Sequence, residues 1–255
     1  VIKMLDIILS GCNGRLGRAV AECAALRDDC RIVAGIDINT GFAMGFPIYK
    51  SFADYDGKAD VIIDFSNPSV LSSLLEYAVI SGTPAVIATT GLNDSQIRQV
   101  RQAAIEAAIF LSANMSLGIS LLSELAQTAA RVLGESFDIE IVEAHHNSKI
   151  DAPSGTALML ADAVSSSLPH EARYEYNRQS KREKRSRNEI GIHSIRGGTI
   201  VGEHEVIFAG NDEVIKLCHS ASSKKIFAAG AINAAAYISC KAPGLYSMKD
   251  LIKGV

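Results

Sequence analysis

Two adjacent imidazoles, an ammonium and a Ser-Gly-Thr step fall inside one short stretch, His145-His146-Asn-Ser-Lys149-Ile-Asp-Ala-Pro-Ser154-Gly155-Thr156. Histidine exchanges protons near neutral pH, and lysine adds a full positive charge. If a helix begins at the Ser-Gly-Thr step, Ser154, Gly155 and Thr156 can offer backbone N–H groups at its positive end. Together these groups make a receptor for a small anion, best matched by a carboxylate. The bland alternative is a surface histidine pair beside an ordinary N-cap. Nothing structural, however, asks for His, His, Lys and a Pro-stiffened Gly turn at once.

The flanking segments position this cluster. Phe137–Val142 alternates as a half-buried strand does, and Ala157–Val164 reads as an apolar helix, so the cluster sits where a strand gives way to a helix. A second chemical element opens the chain. The apolar run Lys3–Ser10 leads into Gly11-Cys-Asn13-Gly14-Arg15-Leu16-Gly17 and then into the helical pattern Arg18–Leu26. A strand, a glycine-rich turn and a helix start a dinucleotide site, with glycines admitting the pyrophosphate to the helix N-terminus. The spacing G-x-x-G-x-x-G departs from G-x-G-x-x-G but keeps that physics. Asp37, at the end of the strand-like Arg31–Asp37, stands twenty residues after Gly17, where an acid for the adenosine ribose is expected; otherwise it caps a turn.

Further strands read at Ala59–Phe65, Thr83–Ala88 and Ile109–Ser112, with helices at Pro68–Ser81 and Asp94–Ala108. This alternation predicts an α/β fold, a Rossmann-like doubly wound parallel sheet whose ligands lie beyond the strand ends. Gly11–Gly17, Asp37, Phe65-Ser66, Ala88-Thr89-Thr90-Gly91 and Ala113-Asn114-Met115 occupy those ends and converge on one crevice.

The second half begins with a helix, Ile119–Leu133. Leu168–Glu189 is polar, and its basic run Lys181–Arg187 lacks interleaved aromatics, so it reads as a solvated, mobile loop rather than a nucleic-acid patch. Ile190–Arg196, Thr199–Ala209 and Glu213–Ser220 read as strands joined by Gly197-Gly198 and Gly210-Asn211-Asp212. With Phe137–Val142 they form a mostly antiparallel or mixed sheet under one helical layer, an α+β domain. His193 and His204 read as structural. A small-residue helix begins at Ala221 and runs to Ala236.

Composition sets bounds. The 255 residues suit one large domain or two smaller ones, and 48% hydrophobic residues fill a sizeable core. A net charge of −3 argues against bulk nucleic-acid binding. The five cysteines are unpatterned, which points to reduced thiols in a cytoplasm and gives no metal set. No apolar run is long enough to span a membrane, and with a strand-like start no signal peptide is expected.

The stretch Glu143-Ala-His-His-x-x-Lys-x-Asp-Ala-Pro-Ser-Gly-Thr-Ala157 resembles the signature of the dihydrodipicolinate reductase family. Gly-x-x-Gly-Arg-Leu-Gly, Asp-Phe-Ser-x-Pro, Ala-Thr-Thr-Gly, Ala-Asn-Met-Ser-Leu-Gly, Ile190–Gly198 and Val201–His204 extend the resemblance over nearly the whole chain; Ala88 stands where Gly is common. The resemblance implies NAD(P)H-dependent reduction of 4-hydroxy-tetrahydrodipicolinate to tetrahydrodipicolinate in lysine biosynthesis via diaminopimelate. It implies that the Thr-Thr-Gly and Ala-Asn steps hold the nicotinamide half. His145 is then the acid with Lys149 close by. Lys149, His146 and the N–H groups of Gly155 and Thr156 grip a dianionic dicarboxylate, and one domain closes on the other. Residues 225–255 would return to complete a dinucleotide domain at 1–115, leaving 116–224 as the inserted substrate and oligomerisation domain of a homotetramer. Members that use NADPH well tend to carry a basic residue just after the second-strand acid. Here Ile38-Asn39-Thr40 follow Asp37, so NADH is expected to serve at least as well as NADPH. Two other readings stand beside this one. A dinucleotide-sensing protein without chemistry would have no use for His145 and Lys149. A dehydrogenase of the same architecture, acting on another small acid, would lack this His-His-x-x-Lys segment.

Overall fold

A computed structural model of the chain describes residues 4–41 and 44–254. Lys3, where the first strand was expected to start, lies outside them, as do residues 1–2, 42–43 and 255 of the expected first domain. In chain order the elements are β1 (Leu5–Ser10), α1 (Arg15–Ala24), β2 (Cys30–Ile36), β3 (Ile48–Tyr49), β4 (Val61–Asp64), α2 (Leu71–Ser81), β5 (Ala85–Ile87), α3 (Asp94–Ala103) and β6 (Ala108–Leu111). After α4 (Leu117–Leu133) come β7 (Asp138–His145), α5 (Gly155–Ser165), β8 (Arg173–Glu175), β9 (Glu189–Arg196), β10 (Gly202–Ala209) and β11 (Val214–Ala221). The chain ends with α6 (Lys225–Ile238), β12 (Gly244–Tyr246) and α7 (Met248–Lys253). It divides into two compact units, Val1–Leu117 with Lys224–Val255, and Gly118–Ser223.

The first unit is a seven-stranded sheet in the order β12-β6-β5-β4-β1-β2-β3, parallel throughout. Its central strands are apolar on both faces because helices cover both. Ile7 and Leu9 pack with Val20 of α1 and the small residues of α6, while Ile8 and Ile62 pack with Leu74 of α2 and Val100 of α3. The small residues of α6 permit close packing: a Cβ on Gly230 would lie 1.7 Å from the Met115 carbonyl oxygen. The strand order reverses between β1 and β4, the switch point where such sheets bind ligands.

Several boundaries differ from expectation. The helix expected to reach Ala108 ends at Ala103, because the buried Ala107 and Ala108 feed β6. The last helical stretch starts at Lys225 rather than Ala221, which still belongs to β11. β3 and β12, two and three residues long, are too short to show periodicity.

The second unit is a mixed sheet in the order β11-β10-β7-β9-β8. β10 runs antiparallel to both β11 and β7, whereas β7, β9 and β8 are mutually parallel. Gly210-Asn211-Asp212 makes a hairpin, as its composition suggests. Gly197-Gly198 does not, because β7 lies between β9 and β10. Instead the Gly197 N–H donates to the His145 carbonyl (2.9 Å) and the Asn147 N–H to that of Gly198 (3.2 Å), tying the link to the end of β7. Strand β7 runs to His145, three residues past the expected end, so His145 is held in the ladder opposite Arg196.

Ile139, Ile141, Val206 and Phe208 pack under α4 and α5 with Ile190 and Ile192. By strand alternation the open face therefore carries Val142, Ile195 and Ile207 among Glu140, His193 and Glu205. The basic segment is anchored rather than wholly solvated: Lys181 pairs with Glu175, and Arg185 pairs with Asp138 and donates to the Ile139 carbonyl. Among the described residues no helix is long and apolar enough to cross a membrane.

Candidate active site

The last residues of β7, the loop to α5 and the end of β9 meet in the second unit around a buried carboxylate. Glu143 is fully buried. Arg196 donates to it through both guanidinium arms, Nη1 to Oε2 and Nη2 to Oε1, each at 2.8 Å, the bidentate fork that suits a carboxylate. The Ser154 N–H donates to Oε1 at 3.1 Å, and His145 Nδ1 lies 2.6 Å from Oε2. Burial by itself would raise the Glu143 pKa, but Arg196, His145 and the Ser154 N–H outweigh it and bring it to about 2. An ionised carboxylate only accepts hydrogen bonds. The proton between the two groups therefore sits on His145 Nδ1, leaving Nε2 as the nitrogen that can exchange a proton.

Ser154 is the N-cap of α5, its Oγ accepting the Ala157 N–H at 3.2 Å. Its own N–H serves Glu143 and not a ligand, a correction to the expected anion receptor. Gly155 and Thr156 take the first helical positions, and a Cβ on Gly155 would meet nothing within 4 Å. Lys149 Nζ pairs with Asp151 Oδ2 at 2.8 Å, and His146 Nδ1 lies 2.8 Å from Ser148 Oγ. The segment thus gathers a histidine, a paired ammonium and a helix start, a set able to hold a carboxylate and deliver a proton.

His204 belongs to the same cluster. Its Nε2 is 3.1 Å from Ser154 Oγ and its ring stands edge-on to His145 at 5.2 Å. Burial, then the neighbouring His145, lower its pKa from 6.5 to about 4. His193 pairs with Glu140 on the open face instead.

These shifts set an acid-stability profile. An unfolded His204 takes up a proton near 6.5, the native one only near 4, so the unfolded state gains protons as pH falls through that window. The expected loss of stability is up to about 3 kcal/mol. Glu143 contributes stability above 4.5 that is lost as pH falls toward 2. Urea unfolding at pH values spanning these windows measures both, and His204→Gln should flatten the upper one.

In the first unit, Gly11, Gly14, Asp37, Phe65 and Ser66 line one cavity of about 570 Å³ with Ile38, Lys50 and Asn67. The glycines form a cradle that side chains would fill: a Cβ on Gly11 would lie 2.7 Å from the Phe65 carbonyl oxygen, and one on Gly17 would lie 2.1 Å from that of Gly11. α1 follows, its N-cap Gly14 making no side-chain cap, so its first N–H groups face the turn. This arrangement fits a dinucleotide pyrophosphate. Asn13 and Asn39 donate N–H bonds to Asp37, both at 3.0 Å. Arg15 and Leu16 open α1.

The remaining expected cofactor residues lie at the ends of β5 and β6, next along the sheet. The row from β2 to β6 spans roughly 19 Å at usual strand spacing. Thr89 directs its hydroxyl to Asp64 (2.6 Å), as does Ser66 (2.5 Å). Burial raises the Asp64 pKa. Met115 is buried in the core. Asn114 accepts the Ser116 N–H at 2.9 Å. Thr90 and Gly91 are exposed, and so is Ala113, while Ala88 is buried.

Sequence reasoning assigned no role to Glu143, Arg196 or Lys50. The Lys50 signal was available only through pairing: Tyr49 sits opposite Ile36, which brings Lys50 beside Asp37.

Comparison with known proteins places both halves in one family. The N-terminal model of dihydrodipicolinate reductase matches residues 5–115 and the C-terminal model residues 118–252. A 4-hydroxy-tetrahydrodipicolinate reductase of Caldanaerobacter subterraneus subsp. tengcongensis is 51% identical over 98% of this chain and 99% of its own. That of Clostridium tetani is 43% identical over 99% and 98%. Among solved structures, a dipicolinate-bound dihydrodipicolinate reductase from Paenisporosarcina sp. TG-14 superposes with a TM-score of 0.81 at 23% identity, covering 96% of this chain and 97% of that one.

Proposed function

The chain belongs to the dihydrodipicolinate reductase family, and we infer from that premise that it reduces 4-hydroxy-tetrahydrodipicolinate to tetrahydrodipicolinate in lysine biosynthesis via diaminopimelate. It is an NAD(P)H-dependent oxidoreductase. The observation that carries the mechanism is the single stretch from Glu143 to Thr156, which unites an oriented histidine, an ammonium and a helix start. Lys149, His146 and the N–H groups of Gly155 and Thr156 grip the two carboxylates through charge-assisted hydrogen bonds. Loss of the 4-hydroxyl as water leaves a conjugated imine ring, to one carbon of which a reduced dinucleotide, when bound, would supply a hydride. In its imidazolium form His145, with Nδ1–H held by Glu143, gives its Nε2 proton to the enamine-like product and is left as the neutral Nδ1–H tautomer, with Lys149 close by. The test is loss of the reduced nicotinamide's absorbance on mixing protein, NADH and substrate, and its inhibition by dipicolinate. A chain that binds both ligands but turns neither over is a sensor and not a reductase.

NADH serves at least as well as NADPH in this reading, because Asp37 faces the adenosine end and Ile38 adds no charge. Lys50 is the compensating cation and keeps NADPH in use. Ile38→Arg is expected to shift the preference toward NADPH by roughly 1–3 kcal/mol, and Lys50→Gln to shift it the other way. The measurement is kcat/KM for both dinucleotides on each protein. A wild-type preference for NADPH of about tenfold (~1.4 kcal/mol) or more would reverse the assignment.

The assembly is a homotetramer built through the open face of the five-stranded sheet, where Val142, Ile195 and Ile207 need cover. Light scattering at micromolar concentration is expected to give four chain masses; one chain mass refutes it. The working compartment is the cytoplasm, which suits its free cysteines.

A further inference from the structure

Glu143 makes two kinds of contact at once. Its Oε2 takes the His145 Nδ1 proton at 2.6 Å, and its Oε1 takes the Ser154 N–H at 3.1 Å. Arg196 binds both oxygens and also donates to the Asp151 carbonyl at 2.6 Å, so the same fork holds the loop between the histidines and α5. We propose that Glu143 is a positioning residue that sets the proton donor and the carboxylate grip together, one oxygen fixing the tautomer of His145 and the other fixing the first turn of α5. The inference rests on the reading above, in which His145 gives the proton and Gly155 and Thr156 bind a carboxylate.

The chemistry of an amide shows why a carboxylate is needed. Each oxygen of Glu143 meets two donors. A glutamine has one accepting end and one donating end. With its oxygen toward His145, its NH2 faces the Ser154 N–H and Arg196. Turned the other way, its NH2 faces His145 Nδ1 and drives the imidazole proton to Nε2. Imidazole can change tautomer whereas the Ser154 N–H can only donate, so the second orientation prevails: the tautomer setting is lost, and the amide donor facing Arg196 loosens the fork that holds the loop to α5.

The experiment is steady-state kinetics on the full-length wild type, Glu143→Gln, His145→Ala and the double variant, with imidazole nitrogen NMR on the two proteins that keep His145. Glu143→Gln is expected to lower kcat by about 10²–10⁴-fold, as loss of a general acid does, and to raise KM for the dicarboxylate. In the His145→Ala background it should lower kcat no further yet still raise KM, because only the route through His145 has been removed. The His145 signal should report Nδ1–H in wild type and change in Glu143→Gln, with NADH affinity unaltered. If Glu143→Gln does not fold, Glu143→Asp takes its place, with the wild-type tautomer and an intermediate kcat expected. A further kcat loss of the same size in the His145→Ala background, or an unchanged tautomer in Glu143→Gln, overturns the inference alone. Normal turnover of His145→Ala overturns the acid assignment and the inference with it.

Discussion

His145→Ala is expected to lower kcat by about 10²–10⁴-fold and Lys149→Ala to do so comparably, with NADH affinity unchanged in both. Both residues belong to the second unit, whereas the glycine cradle and its cavity belong to the first. The His145 side chain is 12% exposed, and with Nδ1 committed to Glu143 only Nε2 can act. Gly202 leaves room beside it, since a Cβ there would lie 3.2 Å from Nε2. Lys149 is held by Asp151 at 2.8 Å, so an incoming carboxylate competes with Asp151 for one ammonium. Lys149→Ala should therefore raise KM as well, and His145→Ala should not. Turnover at saturating substrate, with dinucleotide affinity from fluorescence titration, checks both; near-normal kcat in either variant would sink the mechanism.

The parts of the site legible in the sequence are the local ones. A glycine-rich turn, an N-cap and a strand-end acid each depend on residues a few positions apart, so Gly11–Gly17, Ser154 and Asp37 could be placed without a fold. The groups that orient them come from across the sheets. Arg196 stands 53 residues from Glu143, and His204 50 from Ser154, and no spacing rule connects them. Lys50 escaped for the same reason, being brought to Asp37 by the pairing of β3 with β2. Gly197-Gly198 illustrates the limit from the other side: a turn signal marks where the chain bends but not which strand it then joins. For Thr89 and Met115 the motif located the segment, while burial decided the side chain. The Thr89 hydroxyl serves Asp64 and Met115 packs in the core, so any hold these two have on a dinucleotide runs through backbone atoms.

Gly17→Val is expected to remove dinucleotide binding, with Gly17→Ala intermediate. A Cβ at position 17 would lie 2.1 Å from the Gly11 carbonyl oxygen and 2.8 Å from Cys12 Cα. These are backbone atoms that cannot rotate aside. The turn cannot retreat toward the segment that follows β4, because a Cβ built on Gly11 would already lie 2.8 Å from Ser66 Cα. Gly11 also holds φ +73, a conformation that favours glycine. Nor can α1 back away freely, since Val20 and Ala24 are buried against β1 and α6. The clash must therefore open the Gly11–Gly14 turn, where the Gly14 N–H bonds the Gly11 carbonyl at 3.1 Å. Opening it displaces the N–H groups that would face the pyrophosphate. Overpacking of this kind costs typically about 1–3 kcal/mol, which becomes roughly 5–150-fold in affinity if all of it is felt on binding. The branched valine should exceed that range. NADH titration of both variants, with a dipicolinate thermal shift as the control on the second unit, measures the effect. Wild-type NADH affinity in Gly17→Val would show that the dinucleotide does not approach this turn.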